Sequence, residues 1–146
     1  MEDLKEITSN CSLPFILKGI MSVKGALKAL EAGADGIIVS NHGGRVLDDS
    51  LAGIEVLEEI VKAVDGRMKI FVDGAIRTGN DVFKALALGA DGVLIGRPVS
   101  HAVIGGGREG IRIYMEKIAL ELKEAMAMSG CKTIKDITRD KITVKF

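Results

Sequence analysis

An α/β fold of four parallel βα units, half of a (β/α)8 TIM barrel followed by a long C-terminal helix, is predicted by three features of the 146-residue chain. The first is an ungapped internal repeat. Residues 15–41 align with 71–97 at an offset of 56, most closely at Lys28-Ala29-Leu30 and Gly33-Ala34-Asp35-Gly36 against Lys84-Ala85-Leu86 and Gly89-Ala90-Asp91-Gly92. The second is a set of four short apolar runs rich in Ile and Val, nearly continuous in hydrophobicity as parallel strands buried on both faces are. The third is the amphipathic stretch of about 10–14 residues that separates consecutive runs, which implies successive right-handed βαβ units.

Taken in order, the first strand is Phe15–Leu17, followed by a helix over Ser22–Ala32 that Ser22 can cap. The second strand, Gly36–Val39, leads through a glycine-bearing loop to a helix over Leu51–Val64. The apolar positions of that helix are Leu51, Ile54, Val56, Leu57, Ile60 and Val61. The third strand is Lys69–Val72; the helix after it, Thr78–Leu88, has Thr78 or Asn80 as its cap. Each Gly-Ala-Asp-Gly turn follows a helix and precedes a strand, which suits a glycine closing a helix in the left-handed conformation. The fourth strand is Val93–Ile95, and Gly96-Arg97-Pro98 opens a loop or short helix. Gly105-Gly106-Gly107 reads as a flexible joint rather than a nucleotide loop, because it does not lie between a strand and a helix. A helix from about Glu109 to Met128 carries the stripe Ile111, Ile113, Tyr114, Ile118, Leu122 and Met126, and Gly130 ends it. The tail holds one turn, Ile134–Ile137, and the strand-like Ile142-Thr143-Val144. The whole chain, 1–146, reads as one half-barrel domain with units at 15–64 and 69–128 and a tail at 129–146. Four βα units need a complement, since a complete barrel takes about 250 residues and half of one leaves apolar edges open.

Composition narrows the function. Twenty basic residues balance twenty acidic ones, and only 3% of residues are aromatic, so neither nucleic acid nor an anionic membrane is favoured as partner. No apolar run approaches the roughly 20 residues that cross a bilayer. The polar start, Met1-Glu2-Asp3-Leu4-Lys5-Glu6, lacks a signal peptide's apolar stretch. Cys11 and Cys131 have neither metal-ligand spacing nor the density of a secreted scaffold, so no metal site is expected and a reducing cytoplasm is the expected compartment.

The chemistry concentrates in Ser40-Asn41-His42-Gly43-Gly44-Arg45, directly after the second strand. His titrates near neutral pH, and Arg can clamp a carboxylate through two parallel hydrogen bonds. The segment points to proton abstraction from a small anionic substrate. Gly43 and Gly44 serve either close passage of a cofactor or an ordinary turn.

SNHGGRVLD (40–48), LKGI (17–20), FVDGAIRTGNDVFKALALGADGVLIGRP (71–98) and MSGCKTIKDI (128–137) together resemble the C-terminal half of the FMN-dependent α-hydroxyacid oxidoreductases, the family of glycolate oxidase, lactate oxidase and the flavin L-lactate dehydrogenases. The resemblance runs from about Glu2 to Val144 and implies that the chain holds strands five to eight of the barrel. It implies FMN as cofactor and oxidation of a small L-2-hydroxy acid, lactate or glycolate in type, to the 2-oxo acid. By resemblance Lys18 contacts the flavin N1 and C2 oxygen, Ser40 also touches the flavin, His42 is the general base, and Arg45 holds the substrate carboxylate. Electrons then leave either as hydride or from a carbanion.

Asp73-Gly74-Ala75-Ile76-Arg77 and Gly96-Arg97 match the phosphate loops, with Arg77 and Arg97 on the FMN phosphate and Asp73 accepting from ribityl hydroxyls. Loops after barrel strands seven and eight frequently form such sites with a helix N-terminus. Ala75 departs from the family's usual second glycine; because alanine keeps the N–H, weakened rather than abolished phosphate binding is expected if its backbone angles tolerate a Cβ. His101 matches no motif and receives no role.

The resemblance also implies what is missing. The family's N-terminal half supplies a substrate tyrosine, a second substrate arginine, much of the isoalloxazine pocket and the aspartate that orients the histidine. The chain alone is therefore expected to be a poor enzyme. Met1 stands where the family often has Trp before Glu-Asp-Leu, which suggests a split gene, a truncated product or an excised half-barrel. Homo-oligomerisation or a complementary N-terminal half would close the barrel. An alternative reading is a non-catalytic FMN- or phosphate-binding half-barrel that self-associates. The type 2 isopentenyl-diphosphate isomerases share the phosphate loops, but the His-Gly-Gly-Arg loop counts against them.

Overall fold

The computed structural model describes residues 2–143. Helix α1 (Glu2–Asn10) precedes strand β1 (Ile16–Ile20), and the chain continues through α2 (Val23–Glu31), β2 (Gly36–Val39), α3 (Gly53–Val64), β3 (Lys69–Val72), α4 (Gly79–Ala87), β4 (Gly92–Val93) and α5 (Arg97–Met128). The four strands are parallel and lie in the order β1-β2-β3-β4, with a helix between each neighbouring pair. This is the predicted half-barrel. Ser22 and Thr78 cap α2 and α4, accepting from the N–H groups of Gly25 and Asp81.

Register shows how the sheet is covered. Leu17, Ile37 and Ile70 share one row, and Val39, Val72 and Val93 the next row on the same face. Against them pack Ala26 and Ala29 of α2, Leu57, Ile60 and Val64 of α3, and Val82 and Ala85 of α4. Ile37, Val39, Leu57, Ile60, Val64 and Val72 are wholly buried. The other face carries the row Lys18, Ile38, Phe71 and Gly92, of which Ile38 and Phe71 are half-buried. Expected burial on both faces is thus met on the helix side only, because four strands enclose the barrel interior on one side alone.

Helices α1 and α5 differ from the sequence reading, and two strands differ in their bounds: β1 runs to Ile20 rather than Leu17, and β4 is Gly92–Val93 rather than Val93–Ile95. Nothing in the polar start marks α1, yet the Thr8 hydroxyl donates to the Ala32 carbonyl at 2.6 Å and Lys5 pairs with Glu31. The helix expected from Glu109 begins at Arg97 and bends at Gly107, whose φ of 54° and ψ of −137° suit glycine. Gly110 then backs onto Ala102 so closely that a Cβ would overlap the Ala102 carbonyl. Ile113 is 55% exposed and off the stripe: one residue before Tyr114, it is turned about 100° from the buried line through Ile118.

In the tail, 3-10 turns occupy Ile134–Asp136 and Arg139–Lys141. Ile142 is extended and packs on the core but joins no strand, and Val144 lies outside the described residues. Cys131 is buried beside Phe83, Ala87 and Ile137, whereas Cys11 is exposed.

Candidate active site

Strand parity gathers the first polar side chains. Lys18 lies on the inner row of the sheet, and Ser40 and Asp73 follow β2 and β3 two residues beyond Ile38 and Phe71 on that row. All three therefore point to the same face. The Lys18 ammonium donates to Ser40 Oγ and to Asp73 Oδ2, each at 2.6 Å. Gly19 is the extra residue of a β-bulge between Lys18 and Ile20, with φ +95°. Ser40 is buried, and its Oγ also accepts from the His42 N–H at 3.2 Å.

Residues 40–45 then turn sharply. His42, Gly43 and Gly44 take successive φ values of 57°, 69° and 73°. For His42 the left-handed region costs about 1 kcal/mol, strain of the kind that collects at functional loops. Asn41 holds the turn, its Oδ1 accepting from the Gly43 N–H and its Nδ2 donating to the Leu51 carbonyl. Gly19 leaves room for the imidazole, since a Cβ there would stand 3.0 Å from His42 Cε1. Gly43 does the same for Arg97, whose Nη2 would be 3.1 Å from a Cβ.

The loops meet around a cleft of about 800 Å³ at the C-terminal edge of the sheet. Lys18, His42, Arg45, Asp73, Gly74, Ala75, Arg77, Gly96 and Arg97 all line it, so every expected site residue except buried Ser40 reaches its wall. Four permanent or near-permanent cations face one carboxylate, and Lys18 alone is paired with it. Arg45, Arg77 and Arg97 form no ion pair among the described residues. Such a cleft attracts anions.

The two loops expected to hold phosphate differ in what they leave available. At the start of α4 the carboxylate of Asp81 accepts from the N–H groups of Arg77 and Thr78, and Glu121 accepts from that of Gly79. Burial acts to raise the Asp81 pKa, but hydrogen bonds from the Thr78 hydroxyl and the Arg77 and Thr78 amides outweigh it and hold the carboxyl below its ordinary value. The expected helix terminus is therefore occupied by protein carboxylates. α5, by contrast, begins at Gly96 and Arg97 without a side-chain cap. Ala75 takes φ +59°, so its backbone does tolerate the Cβ in the left-handed region, under strain.

Asp73 Oδ1 is buried and has no hydrogen-bond partner among the described residues. An unsatisfied carboxylate oxygen in a cation-rich cleft asks for a donor from a ligand. FMN offers what these residues lack: a phosphate for Arg77, Arg97 and the uncapped α5 terminus, and ribityl hydroxyls for Asp73 Oδ1. The residues fit the group.

His101 and Tyr114 also line the cleft. The sequence signal for His101 is its position four residues after Arg97, on the same face of a segment that the sequence leaves open as a loop or short helix. In the sequence Tyr114 reads only as part of the apolar stripe of the last helix. Its hydroxyl donates to the Arg77 carbonyl at 3.1 Å, and burial, then Glu121 and Asp81, push its pKa up.

A cation-lined cleft over the C-terminal edge of sequentially ordered parallel strands defines the anion-binding half of a (β/α)8 barrel. The chain belongs to the FMN-dependent dehydrogenase family, whose model matches residues 1–144. It is 51% identical over 141 residues to a peroxisomal (S)-2-hydroxyacid oxidase of Arabidopsis thaliana, covering 97% of this chain and 39% of the relative. A 4-hydroxymandelate oxidase of Amycolatopsis orientalis is 49% identical over 133 residues, covering 91% of this chain and 37% of the relative. The crystal structure of a mandelate oxidase superposes with a TM-score of 0.91 at 48% identity, covering 94% of this chain and 40% of that one. The chain thus spans about two fifths of the length of the relatives it matches.

Proposed function

We propose that this chain, as a single half-barrel domain, supplies the FMN-phosphate site and the His/Arg catalytic loop of an enzyme that oxidises a small L-2-hydroxy acid to the 2-oxo acid. The observation that carries the reading is the convergence of Lys18, His42, Arg45, Asp73, Arg77 and Arg97 on one cleft at the C-terminal edge of the sheet.

In this reading Arg45 fixes the substrate carboxylate, and His42 takes a proton from the 2-hydroxy acid as general base. Bound FMN supplies the two-electron acceptor. Lys18, held by Ser40 and Asp73, stabilises negative charge that develops on the flavin when it is reduced. Asp73 accepts from the ribityl chain, while Arg77, Arg97, the Gly74-Ala75 amides and the Gly96 turn hold the phosphate.

Among the described residues no side chain hydrogen-bonds the His42 ring. A base without an orienting carboxylate is weak, and the complementary N-terminal half is its source in this reading. The two cysteines, unbridged in the structure, fit a reducing compartment, here the cytoplasm, whereas the Arabidopsis relative is peroxisomal. Lactate and glycolate are substrates of the proposed size; the relatives' names add mandelate-type acids.

The half-exposed row of Ile38 and Phe71 favours a second reading, a non-catalytic FMN-binding half-barrel that self-associates through its inner face. Anaerobic addition of glycolate, L-lactate or (S)-mandelate to the flavin-loaded protein separates the two. Bleaching of the flavin absorbance, abolished by His42→Gln without loss of bound FMN, is expected for the oxidase in its complete barrel. A yellow, stably oxidised dimer of half-barrels, unresponsive to all three acids even when the N-terminal half is added, overturns the oxidase reading in favour of the second.

A further inference from the structure

We infer that Tyr114, reaching across from α5, is a positioning residue that fixes the phosphate-binding arginine Arg77. The inference rests on the reading of Arg77 as a phosphate ligand.

The backbone of Arg77 is held from both sides. Its N–H donates to Asp81 Oδ2 at 3.1 Å, and its carbonyl accepts from the Tyr114 hydroxyl at 3.1 Å. With both main-chain groups engaged, the guanidinium is the part of the residue left to meet an anion, and it is exposed at the cleft wall. Tyr114 is itself anchored. Ile118 and Leu122, on the same stripe, pack into the core, and Glu121 accepts from the Gly79 N–H at 2.8 Å. Gly79 admits this contact because it lacks a side chain; a Cβ there would overlap the Leu122 backbone. The start of α4 is therefore gripped at Arg77 and Gly79 by about two turns of α5. The phenol is a hydrogen-bond donor at neutral pH, and burial pushes its pKa further up.

A purely structural tyrosine would stabilise the contact between α4 and α5 without favouring any ligand. A positioning residue should act on phosphate binding in particular. Riboflavin, which has the same ring and ribityl chain as FMN and no phosphate, separates the two. Flavin-fluorescence titrations of the wild type and Tyr114→Phe are expected to show the variant weakening FMN by roughly three- to tenfold, the loss of one aimed hydrogen bond, with riboflavin affinity unchanged. In an Arg77→Ala background Tyr114→Phe should have no further effect on FMN. Equal weakening of both flavins, or none of FMN, overturns the inference. A wild type that binds FMN no better than riboflavin instead overturns the phosphate site itself.

Tyr114 is the chain's one tyrosine, so a second measurement needs no substitution that could unfold it. In protein labelled with 3-fluorotyrosine, the single fluorine resonance should move on addition of FMN and stay in place with riboflavin. Identical responses to the two flavins count against the inference.

Discussion

Asp35 and Asp91 occupy equivalent positions in the two copies of the internal repeat, and each ties down the base of a strand. Asp35 Oδ2 accepts from the Phe15 N–H at 2.7 Å, and Asp91 Oδ2 from the Ile70 N–H at 2.8 Å. The caps Ser22 and Thr78 are likewise equivalent and do the same work. At the opposite end of the strands the copies part. Leu17-Lys18-Gly19 corresponds to Asp73-Gly74-Ala75, and Ser40-Asn41 to Gly96-Arg97. The first copy contributes the cation Lys18 and the second the anion Asp73, and the two meet at 2.6 Å. The lower half of each unit preserves the frame, and the upper half distributes charges that a single unit could not assemble.

The largest test of this contrast uses the equivalent pair Gly19 and Ala75, both left-handed at φ +95° and +59°. Gly19→Ala is expected to destabilise by about 2–3 kcal/mol, combining left-handed strain with a Cβ 3.0 Å from the His42 ring. It should also displace His42, visible as a shift of its imidazole resonances. A chemical-denaturation change under 0.5 kcal/mol would mean that the bulge relaxes easily.

Next come the bases. Asp91→Ala should cost about 1–2 kcal/mol and Asp35→Ala about 1 kcal/mol, because Asp91 serves both the part-buried Ile70 amide and Lys69 whereas Asp35 serves an exposed amide. The reverse order, measured by the same method, would break the assignment of the second unit as the more tightly clamped.

Ala75→Gly should stabilise by about 0.5–1 kcal/mol, relief of left-handed strain exceeding the added entropy of the unfolded chain. FMN affinity should rise or hold. A fall would show that the strained alanine itself presents the phosphate-binding amide.

The smallest effect is a local one. The Asp81 carboxyl titrates below its ordinary 3.8 in the folded protein, so its contribution is complete above that value and is lost as pH falls through the lower folded value. In the first copy Gly25 stands where Asp81 does, and Ser22 caps without a carboxylate. Hydrogen exchange should therefore show the start of α4 opening before that of α2 on acidification below about pH 4. Simultaneous loss, or Asp81→Asn leaving the difference intact, would remove the carboxylate as its cause.

Much of this frame is legible in the residues alone. Period and punctuation place β2 and β3 with their observed bounds and β1 and β4 only in part, and the Ser22 and Thr78 caps mark the two helices within two residues of their observed starts. The family motifs bring nine of the ten expected site residues to one cleft wall. What escaped has physical reasons. α1 is held by polar contacts of Thr8 and Lys5 rather than by an apolar face, so no periodicity reveals it. Three glycines at 105–107 hide a helix in which only Gly107 departs from helical angles. His101 and Tyr114 become neighbours of the arginines only when that bend folds one segment of α5 against the other. The closed N-terminus of α4 depends on Glu121, 42 residues from Gly79, which local reading does not connect.

The Asp35 and Asp91 clamps lie at the end of the sheet remote from the cleft, and this has a consequence for inheritance. A loop anchored between strands that are locked from below can change length or composition without loosening them, and doubling its length adds only about 0.6 kcal/mol of closure entropy. Relatives named for different hydroxy acids could then arise by rewriting the segments above β2 and β4 while the carboxylates below stay in place. The same property makes the mostly exposed stretch from Val46 to Leu51 a natural graft point. New chemistry can be installed there on a chassis whose stability is set elsewhere.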